Sequence, residues 1–302
     1  MQTWIGNLRY AVRQLWRARI FTIVTILTLA LGVGANTALF SVVQAVLLQP
    51  AGVDDPARVV SFHARYIQLN LPSIGVSAPD FADAVSLNSI VESGALTQPN
   101  SFNATFAGRT QHLRAAMTTW RWFQVFGARP ILGRTYVPEE DQKGANQVVV
   151  LSYATWQEFF GGRKDAIDKS LLLDGKSYRV IGVMRSDFDW PRNEQMWIPL
   201  GLPSTAYDLS NRFNESYNSV LRLRPGASVT QLNAALEQKR LEEIRREGTG
   251  SFALSSEWSM FAQPWTKDAA GDLRKPLIAL STLRQSRKAA HWARSHREAR
   301  HP

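Results

Sequence analysis

The sequence predicts an α+β protein: one N-terminal transmembrane helix followed by a body of interleaved strands and helices. Three observations carry this reading. No charged residue stands between Arg19 and Asp54. Beyond Pro50 the helical apolar signal stops, and short strand-like runs alternate with short capped helices. Within that body Asp174-Gly175 separates two apolar runs, a strong two-residue hairpin signal because the tight turn needs positive φ.

The apolar run is densest from Ile20 to Leu48. As a helix these residues reach about 43 Å, more than the ~30 Å of a bilayer core, so the helix spans and projects beyond the membrane. Asn36, Thr37, Ser41 and Gln44 make its second half the more polar one. A cleaved signal peptide would have a shorter apolar region, and a buried helix of a soluble core rarely runs so long without charge. Gly32 to Thr37 resembles half of a dinucleotide fingerprint but lacks its third glycine and preceding strand. Ala30, Gly34 and Ala38 stand four apart, a small-residue row that lets a second helix approach. The alternative is a lipid-facing helix with incidental small residues. Residues 2–17 form an amphipathic pattern, with Trp4, Leu8 and Trp16 on one arc and Arg9, Arg13 and Arg17 on the other. Such a helix lies in the membrane interface. Arginines before the span and Asp54 and Asp55 after it place the N-terminus in the cytoplasm and the body outside.

Arg58 to His63 opens the body as a strand, and Ser77 caps a short helix beginning at Ala78-Pro79-Asp80. Ser101–Phe106 and Leu113–Thr118 are expected to pair across Gly108-Arg109-Thr110. Thr119–Phe126 reads as a helix closed by Gly127. A buried strand follows at Val148–Leu151, then a helix at Tyr153–Phe160 stopped by Gly161-Gly162. The hairpin pairs Leu171–Leu173 with Tyr178–Val183, Ser219–Leu223 is a further strand, and Ser228–Glu247 is a long helix.

Charge and chemistry narrow the function. The net charge is +10, but the first nineteen residues hold four arginines and residues 281–302 hold a net +5, leaving the body nearly neutral. A nucleic-acid binder carries its basic excess on the folded domain, so nucleic acid is not an expected partner. The chain has no cysteine, hence no disulfide framework, thiolate zinc site or cysteine nucleophile. Gly175-Lys176-Ser177 lies in a hairpin with no helix behind it to present amides to a phosphate. No G-x-S-x-G elbow and no H-E-x-x-H pair occurs. His63 and His112 read as strand residues, and Glu139-Glu140-Asp141, Asp187 and Asp189 as solvated loop acids. Most tryptophans read as core or domain-interface residues. No catalytic, cofactor or metal residue is expected.

Longer stretches carry a resemblance. LRYAVRQLWR at 8–17 and FTIVTILTLALGVGANTALFSVVQAVLLQP at 21–50 are two of them. FQVFGARPILGRTYVPEEDQKGANQVVVLSYATWQEFFGG at 123–162, LLLDGKSYRVIGV at 171–183, MWIPLG at 196–201 and LRLRPGASVTQLNAAL at 221–236 follow. Together they resemble a MacB/FtsX-type ABC transporter permease of the acidobacterial duplicated-permease branch. The resemblance implies a cytoplasmic interfacial helix over 1–19, a transmembrane helix over 20–48 and a periplasmic MacB-like core domain over 49–268, in the bacterial inner membrane. It implies a separate ABC ATPase subunit that binds ATP, so that this chain holds no cofactor of its own. Further permease helices or a second permease copy, and the lipid bilayer, are the other implied partners. Export or periplasmic mechanical work is the implied function, and no catalytic residue is carried over. Residues 269–302 depart from the pattern: where a second long apolar helix is expected, Leu277–Leu280 gives way to a run rich in Arg, His and Ser, as a frameshift or truncation near residue 280 would produce. The alternative function is a membrane-anchored extracytoplasmic binding or adaptor module without transport activity.

Overall fold

The computed structural model describes residues 18–43, 52–248 and 250–269. The interfacial residues Trp4, Leu8, Arg9, Arg13, Trp16 and Arg17 and the basic tail lie outside the described residues. The chain divides into two units, Met1–Gln49 and Pro50–Pro302.

The first unit contains helix α1, Arg19–Val43. Its threonine hydroxyls turn inward: Thr25 donates to Phe21 O, Thr28 to Val24 O and Thr37 to Val33 O, each at 2.8 Å. This back-bonding satisfies each hydroxyl within the helix. The large apolar side chains stand exposed, Ile20 at 82% and Leu31 at 78%. Among the described residues no helix is long and apolar enough to cross a membrane.

The second unit is α+β, as expected. Its strands are β1 (Val59–Tyr66), β2 (Leu71–Ile74), β3 (Val91–Phe106), β4 (Arg109–Thr118), β5 (Pro130–Gly133) and β6 (Val148–Leu151). They continue with β7 (Ser170–Leu173), β8 (Lys176–Met184), β9 (Met196–Pro199), β10 (Asn218–Leu223) and β11 (Trp258–Pro264). The helices are α2 (Ala78–Val85), α3 (Trp122–Phe126), α4 (Tyr153–Phe160), α5 (Val229–Glu247) and α6 (Phe252–Ser255). The main strand order is β11-β1-β10-β3-β4-β9-β6-β8-β5, with β2 on β1. Because β7 pairs with both β3 and β8, the pairings β3-β4-β9-β6-β8-β7 close into a six-strand ring. The long strand β3 belongs to both parts: Val91 to Thr97 lie in the open sheet against β10, and Ala104 and Thr105 lie in the ring against β7.

Local chemistry explains most elements. Ser77, Ser152 and Ser228 cap α2, α4 and α5 by accepting from the amides of Asp80, Thr155 and Gln231. At the β7–β8 turn Asp174 (φ 47°) and Gly175 (φ 79°) are both left-handed, as the hairpin signal requires. The β3–β4 hairpin turns instead at Ala107 (φ 49°) and Gly108 (φ 78°), one step earlier than expected, so Arg109 and Thr110 belong to β4. The helix expected from Thr119 begins only at Trp122. Thr119 Oγ1 is held as an acceptor by Leu96 N, and Trp120 N donates to Asp141 Oδ2, while Trp122 N closes a turn onto Thr119 O, so residues 119–121 form a turn ahead of the helix.

Three cores result. One fills the ring with Leu113, Val149, Leu151, Leu171 and Ile198. A second joins α2 and α5 to the open sheet through Phe81, Leu232 and Leu236. Here Gly94 is required, because a Cβ would come within 2.7 Å of Leu221 and 2.9 Å of Val85. The third is aromatic and gathers Trp122, Phe123, Phe126, Phe188, Trp197 and Trp265.

Candidate functional site

The chain enters and leaves the second unit at one place. β1 and β11 are antiparallel neighbours, Val60 facing Pro264 and Tyr66 facing Trp258. Antiparallel pairing therefore sets the first residues of β1 beside the last residues of β11.

Both segments are tied down by specific bonds. In the incoming segment Asp54 N donates to Phe126 O at 2.8 Å. Arg222 of β10 donates from Nε to Val125 O at 2.7 Å and from Nη2 to Asp54 O at 2.5 Å. Its side chain is buried, and burial, with the neighbouring Arg58 charge, lowers its pKa from the ordinary arginine value. Gly127 ends α3 at φ 66°, as the sequence predicts, and has a second reason to be glycine: a Cβ there would stand 2.5 Å from that of Asp54.

The outgoing segment is held by rings and by an ion pair. Trp265 packs on Trp190 and Phe126, with centroids 4.2 and 5.2 Å apart. Asp268 meets His63 Nε2 of β1 at 2.8 Å and accepts from Gln263 Nε2 at 2.7 Å. Burial pushes the Asp268 carboxyl up, but bonds from His63, Ser61 and Gln263 and the His63 charge hold it below the usual carboxylate range. His63 is thus a strand residue, as expected, and also latches the two ends of the unit together. Beside the outgoing segment lies a cavity of about 440 Å³, lined among others by Trp122, Phe126, Trp190 and Trp265.

The acids singled out in the sequence are separated. Asp187 pairs with Arg185 at 2.7 Å and Asp189 accepts from Asn193 N at 2.6 Å. Two of the expected solvated acids are structural instead. Glu140 pairs with Arg134 at 2.7 Å and accepts from Val137 N. Asp141 accepts from Trp120 N and Gly201 N, both at 2.8 Å, while burial raises its pKa. Among the described residues no group of His, Asp and Glu is placed to hold a metal ion. On α1, a Cβ at Gly34 would meet nothing within 4 Å, Ala30 lies one turn before it, and the Ala38 side chain is outside the described residues.

Arg222 and the His63–Asp268 latch escape sequence reasoning. Arg222 did leave a trace, an arginine inside the apolar strand run of residues 219–223. Asp268 left none, since its partner lies 205 residues away.

In the described residues the α+β unit follows an apolar helix in the sequence, and its first and last strands are paired. The chain belongs to the MacB-like periplasmic core domain family, which its residues 22–239 match. It is similar to the pyoverdine export ATP-binding/permease protein PvdT of Pseudomonas syringae pv. tomato, 25% identical over 294 residues covering 93% of this chain and 43% of that protein. The chain thus matches less than half the length of that relative. Its fold is similar to a domain described as that of a permease from Porphyromonas gingivalis, with TM-score 0.52 and 20% identity over 70% of this chain and 93% of that one. The periplasmic region of MacB from Actinobacillus actinomycetemcomitans aligns with TM-score 0.48 and 15% identity, over 74% and 94% of the two chains.

Proposed function

We propose that this chain is a permease component of an ABC transporter, and that its folded domain, outside the cytoplasm, turns ATP-driven movement of a separate ATPase into export or periplasmic mechanical work. The observation that carries the reading is the shared edge of β1 and β11 in a chain of this family. Movement arriving through the segment before β1 meets the outgoing segment one strand away, so the pair responds as a unit. The relative PvdT is itself named an export ATP-binding/permease protein, which supports the ATPase partner. The uncharged run from Ile20 to Leu48 supports a membrane span in the inner membrane, and the four preceding arginines support a cytoplasmic N-terminus with an interfacial helix. The chain itself performs no catalysis and holds no cofactor; ATP belongs to the partner. The row Ala30, Gly34 and Ala38 receives a further permease helix or a second permease copy.

Co-expression of the tagged chain with an ABC ATPase from the same genome is the test. Stoichiometric co-purification from membranes is expected, reduced by Gly34→Leu, which would fill the small-residue row. A chain that purifies from membranes with no ATPase would instead be the anchored adaptor module.

A further inference from the structure

We propose that the aromatic cavity beside the chain ends is a binding site for a small, flat amphiphilic anion, an aromatic carboxylate or sulfonate. Its volume of about 440 Å³ suits a small molecule. The walls are ring faces: Trp190 and Trp265 meet at 72° with centroids 4.2 Å apart, and Phe126 stands 5.2 Å from Trp265. The indole N–H groups of Trp122 and Trp197 are both spent on Trp190 O, so the wall built by Trp122 offers carbon rather than a donor.

Three polar groups in the lining, on Arg192, Thr97 and Ser219, have no partner among the described residues. Arg192 stacks its guanidinium 4.6 Å from the Trp190 ring, and among the described residues it meets no carboxylate within ion-pair distance. Its Nε is buried and makes no hydrogen bond. A stacked guanidinium keeps its planar fork of donors free at the edge, the geometry that matches a carboxylate or sulfonate. Thr97 Oγ1 is buried and without a partner as well, and the Thr97 residue is 5% exposed. Alternation along β3 puts Thr97 on the face of Ala95, which belongs to the aromatic core. The carboxylate in the lining, Asp268, is already bonded to His63 and Gln263 and does not compete for Arg192. The cavity therefore combines one cation without a carboxylate partner, the unpaired hydroxyls of Thr97 and Ser219, and aromatic lining.

The test uses the full chain in lipid nanodiscs, without any ATPase, so its failure leaves the transport reading standing. Naphthalene-2-sulfonate is titrated calorimetrically, with empty nanodiscs as the blank. Saturable binding is expected, weakened at least tenfold by Arg192→Gln and several-fold by Thr97→Val at an unchanged unfolding midpoint. Absence of heat above the blank at millimolar probe, or equal affinity in Arg192→Gln, overturns the proposal. Should Arg192→Gln not fold, equal affinity in Thr97→Val overturns it.

Discussion

Replacing Arg222 with methionine tests the clamp on the incoming segment. The substitution keeps a long side chain but removes both donors. Val125 O, buried, and Asp54 O, half-buried, then lose their partner. A buried acceptor left unsatisfied costs about 1–3 kcal/mol, and the more accessible one costs less because water replaces the donor. Against this, methionine no longer keeps a charge out of water, a relief that the lowered Arg222 pKa makes real. The net loss comes to about 2 kcal/mol. Urea unfolding followed by tryptophan fluorescence reads it globally. Hydrogen exchange at the Asp54 amide, which donates to Phe126 O, reads it locally and should accelerate. Arg58→Met is the control. Arg58 pairs with Glu92 and donates to Leu223 O at 2.8 Å from a more accessible position, so its loss should stay near 1 kcal/mol. An R222M chain within about 0.5 kcal/mol of the parent, with Asp54 exchange unchanged, would refute the clamp.

Gly127→Ala should cost at least about 2 kcal/mol, from the left-handed φ of 66° and the collision with Asp54. Because both changes act on Asp54, a double-mutant cycle with R222M should be clearly non-additive. Asp80 predicts a pH dependence. Arg212 meets Asp80 at 2.6 Å, Asp83 at 2.8 Å and Glu243 at 3.1 Å, and Glu243 is also paired with Arg246. Burial pushes Asp80 up to about 7 although Arg212 and Ser77 pull it down, and its Oδ2 has no hydrogen-bond partner. The folded chain thus keeps a proton that the unfolded chain has released, so this group's contribution to stability is full below about pH 4 and falls as pH rises towards 7. Chemical unfolding across that range should show the parent losing stability relative to Asp80→Asn, by at most about 1.4 kcal/mol per pH unit. A difference that does not vary with pH contradicts the assignment.

The elements legible in the sequence were those whose signal is local. Ser77 announces a helix because a cap is a bond between residues three apart; Ser152 and Ser228 cap theirs in the same way, without having been singled out in the sequence. Asp174-Gly175 announces a turn because two adjacent residues must adopt positive φ. β2, β5 and β9 were not foreseen, since they are four residues long and are set by their neighbours, and the seven-residue β11 was not foreseen either. Met196–Pro199 is wholly buried between β4 and β6, so it shows no alternation to read. β3 was half-seen because Gly94 and Pro99 look like breaks; Gly94 instead admits the close approach of Leu221 and Val85. Asp141 looked like a loop acid because the amides of Trp120 and Gly201 that hold it come from distant positions. The cavity and the His63–Asp268 latch depend on chain ends some two hundred residues apart, which only the fold brings together.

Sidedness of the membrane is the most direct test of the account. The natural chain has no cysteine, so single cysteines can be introduced into it unchanged. Lys176→Cys lies on the exposed β7–β8 hairpin of the folded domain, and Gln2→Cys lies before the arginines. Membrane-impermeant maleimide applied to intact spheroplasts should label Lys176→Cys at once and Gln2→Cys only after lysis. Labelling of Lys176→Cys only after lysis would put the domain on the cytoplasmic side and contradict the permease reading.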